Sequence, residues 1–141
     1  MSIPALFDLS GQTAVVTGSG KGIGEGIAKL LSEAGANVVV SSRTEEDIKK
    51  VASQIASDGG TAIPIVCDVT NDDQVHALAK GALDTFDKID IWVNNVGGST
   101  GRTPLKELNR EDWDQTIALT LTSVFVGCQV AAMNMVKGSI V

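Results

Sequence analysis

Tyrosine is absent from this chain, histidine occurs once and cysteine twice. No phenol is therefore on hand to move a proton, and the single imidazole, His76, falls early in a helix pattern on its solvated side. Cys67 and Cys128 are too few and too far apart for a metal box or a disulfide framework, and they read as buried thiols of a reducing cytoplasm. Basic residues number 11 against 17 acidic ones, a formal net charge of −6. That balance argues against nucleic acid and anionic membranes as partners. No apolar run approaches the ~20 residues needed to cross a bilayer. Met1-Ser2-Ile3-Pro4-Ala5 lacks the basic segment and apolar core of a secretion signal. Internal repeats and low-complexity segments are missing as well.

What remains is an ordinary globular composition, 43% apolar and 20% charged over 141 residues, enough for one domain with a real core. Strand and helix patterns alternate along it, the signature of a parallel sheet covered by helices. Thr13–Thr17 reads as a first strand, followed by a helix whose apolar positions Ile23, Ile27, Leu30, Leu31 and Ala34 keep helical spacing up to Gly35. Asn37–Ser41 is a β-branched strand. Thr44 with Asp47 resembles a capping box for a helix carrying Ile48, Val51, Ala52 and Ile55 inward, to Asp58-Gly59-Gly60. Ala62–Val66 is the third strand, and Thr70 with Asp73 caps a helix running to about Phe86. Ile89–Asn94 is the fourth strand. After a glycine-rich connection, Asn109 caps a long helix from about Arg110 to Lys137, with Trp113, Ile117, Leu121, Val124 and Cys128 along one stripe. Ser139-Ile140-Val141 opens a fifth strand, where the chain stops. The expectation is a three-layer α/β, Rossmann-type doubly wound parallel sheet, one incomplete domain over 1–141, truncated at the start of the fifth strand.

The most informative stretch is Thr17-Gly18-Ser19-Gly20-Lys21-Gly22-Ile23-Gly24. A strand, a glycine-rich turn and a helix amino terminus make a pocket for a phosphate, because backbone comes close to the anion and the free N–H groups of the first helical turn point at it. The Walker spacing fails, since Gly20-Lys21 is followed by Gly22 and Val15 takes the place of the first glycine. The G-x-G-x-x-G fingerprint fails too, because it needs glycine at Ile23. G-x-x-x-G-x-G fits, with Gly18, Gly22 and Gly24.

The chain resembles the single-domain branch of the short-chain dehydrogenase/reductase family along nearly its whole length. Thr17 to Gly24 matches the Thr-Gly-x-x-x-Gly-x-Gly motif, Cys67-Asp68-Val69 the Asp-Val pair after the third strand, and Asn94-Asn95-Val96-Gly97 the Asn-Asn-Ala-Gly motif. Gly138-Ser139-Ile140-Val141 is similar to the lead into the catalytic strand. The resemblance implies NAD or NADP across the carboxyl ends of the strands. Gly18, Ser19, Gly20, Lys21, Gly22, Ile23 and Gly24 would then hold its phosphates. Asp68 and Val69 would meet the adenine, and Asn95, Val96 and Gly97 would border the ribose, with Asn94 beside them. No metal is implied.

At the end of the second strand an acid would favour NAD. This chain has Ser41-Ser42-Arg43-Thr44, and the guanidinium fork of Arg43, with Ser42 beside it and Lys21 in the glycine loop, suits a 2′-phosphate. The expected cofactor is NADP. Their other reading is as solvated surface charges.

The family's tyrosine has no counterpart here, and its Tyr-x-x-x-Lys helix and serine strand would follow Val141. Thr120 occupies the place of its helix asparagine. Arg102 would neighbour a substrate in a complete enzyme. The expected function is therefore the cofactor-binding part of an NADP-dependent oxidoreductase acting on a ketone or secondary alcohol, cytoplasmic and homo-oligomeric, inactive by itself. The alternative is a non-catalytic nucleotide-binding or interaction module.

Overall fold

Alternation with a period of two assigns the strand residues to opposite faces of one sheet. In the computed structural model, which describes residues 7–99, 101 and 103–141, five parallel strands run in the order β3-β2-β1-β4-β5. They are β1 (Thr13–Thr17), β2 (Asn37–Ser42), β3 (Thr61–Val66), β4 (Ile91–Val93) and β5 (Ser139–Ile140). Val15 pairs in register with Val39 and Trp92, and these three meet α3 (Asp72–Phe86) and α4 (Arg110–Asn134) on one face. On the other, Ala14, Val16, Val38, Val40 and Val93 meet α1 (Gly22–Glu33) and α2 (Glu45–Ser57). This is the expected doubly wound, three-layer fold. After β3 the chain crosses back to pair β4 with β1, so the winding reverses between the carboxyl ends of β1 and β4, where such sheets open a crevice.

Several local expectations shift. In α1 the buried residues are Gly24 and Ala28, while Ile23 and Leu30 are exposed. Small side chains let that helix lie close to the sheet. Thr44 precedes α2 without a side-chain cap, because Asp47 turns towards Lys21 and Ser42 Oγ accepts the Thr44 N–H. The α3 cap is Asn71, whose side chain accepts the Gln74 N–H at 3.1 Å, while Thr70 binds Asp68. Asn109 caps α4 as its position suggests, accepting from Asp112 N–H at 2.8 Å.

The fourth strand is shorter than expected because side chains take over its ends. Asp90 Oδ2 accepts the Thr13 N–H, and Thr17 Oγ1 donates to the Val93 carbonyl while accepting the Asn95 N–H. The long helix ends at Asn134, where Asn134 Nδ2 donates to the Val130 carbonyl and Met135 is extended. Within it a π-helical turn spans Ala118–Thr122. The wider turn changes the phase of the helix. Ser123, Val126, Gly127, Val130 and Ala131 are buried, whereas Trp113 and Leu121 of the expected stripe face solvent. Among the described residues α4 is the one helix long and apolar enough to cross a membrane. Its 117–134 stretch carries no charge, a feature that run length misses because Thr, Ser, Gln and Asn interrupt it.

Candidate functional site

The carboxyl ends of the central strands open on one groove, a cavity of about 330 Å³. Glycines shape its β1 side. Gly18 and Gly22 have φ of +64° and +62°, left-handed values that favour glycine. A Cβ at Gly24 would lie 2.3 Å from the Gly18 carbonyl oxygen, and one at Gly20 would lie 2.8 Å from Ser42 Oγ. The turn is thus pressed against both β2 and the start of α1. Lys21 precedes α1 and makes no side-chain cap, and an uncapped helix start of this kind suits an anion. These features fit a dinucleotide phosphate.

Ten of the expected residues line the groove: Gly18, Gly20, Lys21, Ser42, Arg43, Asp68, Val69, Asn95, Val96 and Gly97. Four stand apart from its lining. Ser19 is fully buried, its hydroxyl donates to the Val16 carbonyl and accepts the Ser41 N–H, and its own N–H donates to the Ser41 carbonyl. It therefore ties the glycine turn to β2 and has no donor left for a ligand. Gly22, Ile23 and Gly24 form the first turn of α1, with the Ile23 side chain in solvent. Their contribution is confined to backbone.

Asn95 also has a structural task. Its Nδ2 donates to the carbonyls of Thr17 and Gly18, each at 3.1 Å, and its N–H donates to Thr17 Oγ1. Asn94 Oδ1 accepts from Trp92 Nε1 at 3.0 Å, and its backbone N–H donates to the Val141 carbonyl. Together the two asparagines lock the ends of β1, β4 and β5.

Charge in the groove is mixed. Lys21 Nζ lies 2.9 Å from Asp47 Oδ2. The Asp68 carboxyl is held below its usual range, first by the Thr70 hydroxyl against the opposing effect of burial, and further by the Thr70 N–H and the nearby Arg43 charge. Cys67 lines the groove from beneath, and burial, with the Asp68 charge, pushes its thiol up to about 11. Sequence reasoning missed Thr44, Asp47, Cys67 and Leu119 as lining residues. Asp47 stood out only as a capping residue, and nothing in the sequence marks Leu119.

Among the described residues outside the groove, the other candidates are placed away from it. Thr120 Oγ1 donates to the Thr116 carbonyl at 2.6 Å inside the π-helical turn, so its hydroxyl is engaged within the helix. His76 is exposed. Asp84 pairs with Lys80, and Asp90 with Lys88 and the Thr13 N–H. Arg102 lies outside the described residues. Among those described, no cluster of three or more His, Cys, Asp or Glu is placed to hold a metal.

The glycine turn at a sheet switch point, an uncapped helix and the paired asparagines agree with one further finding. The family model for short chain dehydrogenases matches residues 12–141. The chain belongs to that family. It is 38% identical over 125 residues to 3beta-hydroxysteroid dehydrogenase 1 of Eggerthella lenta, covering 88% of this chain and 48% of that protein. A short-chain type dehydrogenase/reductase from Mycobacterium marinum superposes with a TM-score of 0.93 at 38% identity, over 99% of this chain and 58% of that one. A metagenomic short-chain oxidoreductase solved in complex with NADP gives a TM-score of 0.88 at 36% identity, over 94% of this chain and 62% of its own. This chain thus spans about half the length of the curated relatives it matches.

Proposed function

We propose that this short-chain dehydrogenase chain binds NADP(H), and that it forms the cofactor-binding part of an oxidoreductase acting on a ketone or a secondary alcohol. The observation that carries the reading is Arg43 lining the groove at the end of β2, where an acid would favour the unphosphorylated cofactor. The glycine turn and the first turn of α1 would take the pyrophosphate. Arg43, Ser42 and Lys21 would take the 2′-phosphate, Asp68 and Val69 the adenine end, and Asn95, Val96 and Gly97 the ribose side. The NADP complex of the metagenomic relative supports the same choice.

Bound nicotinamide supplies or accepts the hydride; the residues of this chain bind and orient it. Proton delivery to a carbonyl oxygen needs an acid that these residues do not provide, since tyrosine is absent and Thr120 is bonded within its helix. The chain alone therefore binds the cofactor without catalysing its oxidation. The small-molecule substrate, the homo-oligomer and the cytoplasmic setting belong to the same proposal.

Titration with NADPH and NADH by nicotinamide fluorescence tests it. Charge-assisted hydrogen bonds contribute about 1.5–3 kcal/mol each, so one or two favour NADPH roughly tenfold to a thousandfold. Arg43→Ala should remove most of that preference. Equal affinities in the unmodified chain would refute the cofactor assignment.

A further inference from the structure

Four charged side chains line the groove, and they cancel: Lys21 and Arg43 face Asp47 and Asp68. The two carboxylates are held differently. Asp68 Oδ1 accepts both the N–H and the hydroxyl of Thr70, at 2.9 and 2.7 Å, so its charge is satisfied by its own turn. Asp47 Oδ2 is screened from solvent and takes no aligned hydrogen bond. Its compensation is the ion-pair contact with Lys21 Nζ at 2.9 Å.

The partners also differ in freedom. The Asp47 side chain is 29% exposed and packs where a Cβ on Gly20 would come within 2.9 Å of its own Cβ, whereas the Lys21 side chain is 79% exposed. A more buried carboxylate thus holds a largely exposed ammonium in the groove. A dianionic phosphate reaching Lys21 must share that cation with Asp47 and must approach its carboxylate.

We propose that Asp47 restrains binding of the 2′-phosphate by holding Lys21, and so sets how strongly this groove prefers NADP over NAD. The inference rests on the NADP reading above, and its test separates the two. Asp47→Asn keeps the shape and removes the charge. An ion pair whose cation is this exposed is modest in water, so NADPH should bind roughly threefold to fivefold more tightly to Asp47→Asn, with NADH affinity unchanged within about twofold. The gain should vanish in a Lys21→Met background, because the effect acts through that ammonium.

Asp47 also lies in the acidic first turn of α2, where a negative charge favours the helix. Asp47→Ser is therefore measured alongside, with circular dichroism confirming the fold of each variant, and the same direction is expected. Unchanged or weaker NADPH binding in the folded variants would overturn the inference, as would an equal gain for NADH or a gain that survives Lys21→Met. Arg43→Ala reads the NADP assignment on its own. If it abolishes the NADPH preference while the Asp47 variants have no effect, only the role of Asp47 is lost. If the unmodified chain shows no preference and Arg43→Ala changes nothing, the assignment itself fails.

Discussion

Asn95 Nδ2 donates to the Gly18 carbonyl at 3.1 Å, joining the end of β4 to the left-handed turn that follows β1. The same amide donates to Thr17, so one side chain replaces the ladder bonds that two diverging strands can no longer exchange. Asn95→Leu fills similar space but leaves two carbonyls without their donor. Removing such partly buried bonds costs about 1–3 kcal/mol, which urea unfolding would register as a lower midpoint. Because the bonds shape the glycine turn, affinity for NADPH should fall together with stability. Lost affinity at unchanged stability would instead mean that Asn95 acts through its contact with the ribose side alone and not through the turn.

Two helical glycines should respond in opposite directions to the same methyl group. A Cβ at Gly127 would lie 2.1 Å from Asn94 Oδ1 and 3.2 Å from Trp92 Nε1, where α4 presses on β4. Gly127→Ala should therefore destabilise the fold by roughly 1–3 kcal/mol through overpacking. Gly26, inside α1, has open space at the corresponding position. Gly26→Ala should stabilise by about 0.5–1 kcal/mol, from helix propensity and a less flexible unfolded chain. Thermal unfolding of the pair checks both signs, and a shared sign would contradict the packing described for α4.

The sheet was legible because buried parallel strands are written as continuous β-branched runs, such as Val38-Val39-Val40, and because glycines mark where backbone must turn. The glycine loop was legible for the same reason. Less readable were features set by competition between side chains. Thr44 and Asp47 have capping-box spacing, yet Asp47 pairs with Lys21, a partner distant in sequence. Thr70 has a cap-like position, yet Asp68 takes its hydroxyl and leaves Asn71 to cap α3. The π-helical turn at Ala118–Thr122 has no simple periodic signature, so a stripe drawn at uniform helical spacing leaves the buried face. Ser19 sits in the midst of a ligand motif, and only three-dimensional contacts show that its donors serve β2.

Cys67 gives a pH signature. Its thiol is raised from the usual 9.0 to about 11, first by burial and then by the Asp68 charge. The folded state therefore keeps the proton after the unfolded chain has lost it. This contribution to stability is full below about pH 9 and is lost as pH rises towards 11, since the unfolded state then binds fewer protons. Cys67→Ala should flatten the alkaline limb of the stability profile measured by urea unfolding between pH 8 and pH 11. It should also leave thiol labelling at pH 8 nearly unchanged, because a buried protonated thiol reacts slowly. Rapid labelling of Cys67 in the folded chain would contradict the burial.

The outer face of α4 bears on self-association. Leu121, Phe125 and Met133 are 62%, 63% and 66% exposed, three large apolar side chains in solvent, with exposed Gln129 between the last two, on the helix whose opposite side is buried against β4. Patches of this kind on a folded chain promote contact with other apolar surfaces. If copies of the chain associate through this face, Phe125→Asp places a charge in its middle and should weaken the assembly by about 2 kcal/mol or more, the range of a central aromatic contact. That corresponds to roughly a thirtyfold higher dissociation constant, measurable by sedimentation velocity over a concentration series. Leu30→Asp is the matched control, because Leu30 is 61% exposed on α1, across the sheet from α4. Dissociation by Leu30→Asp with no effect of Phe125→Asp would move the contact to the other layer of helices.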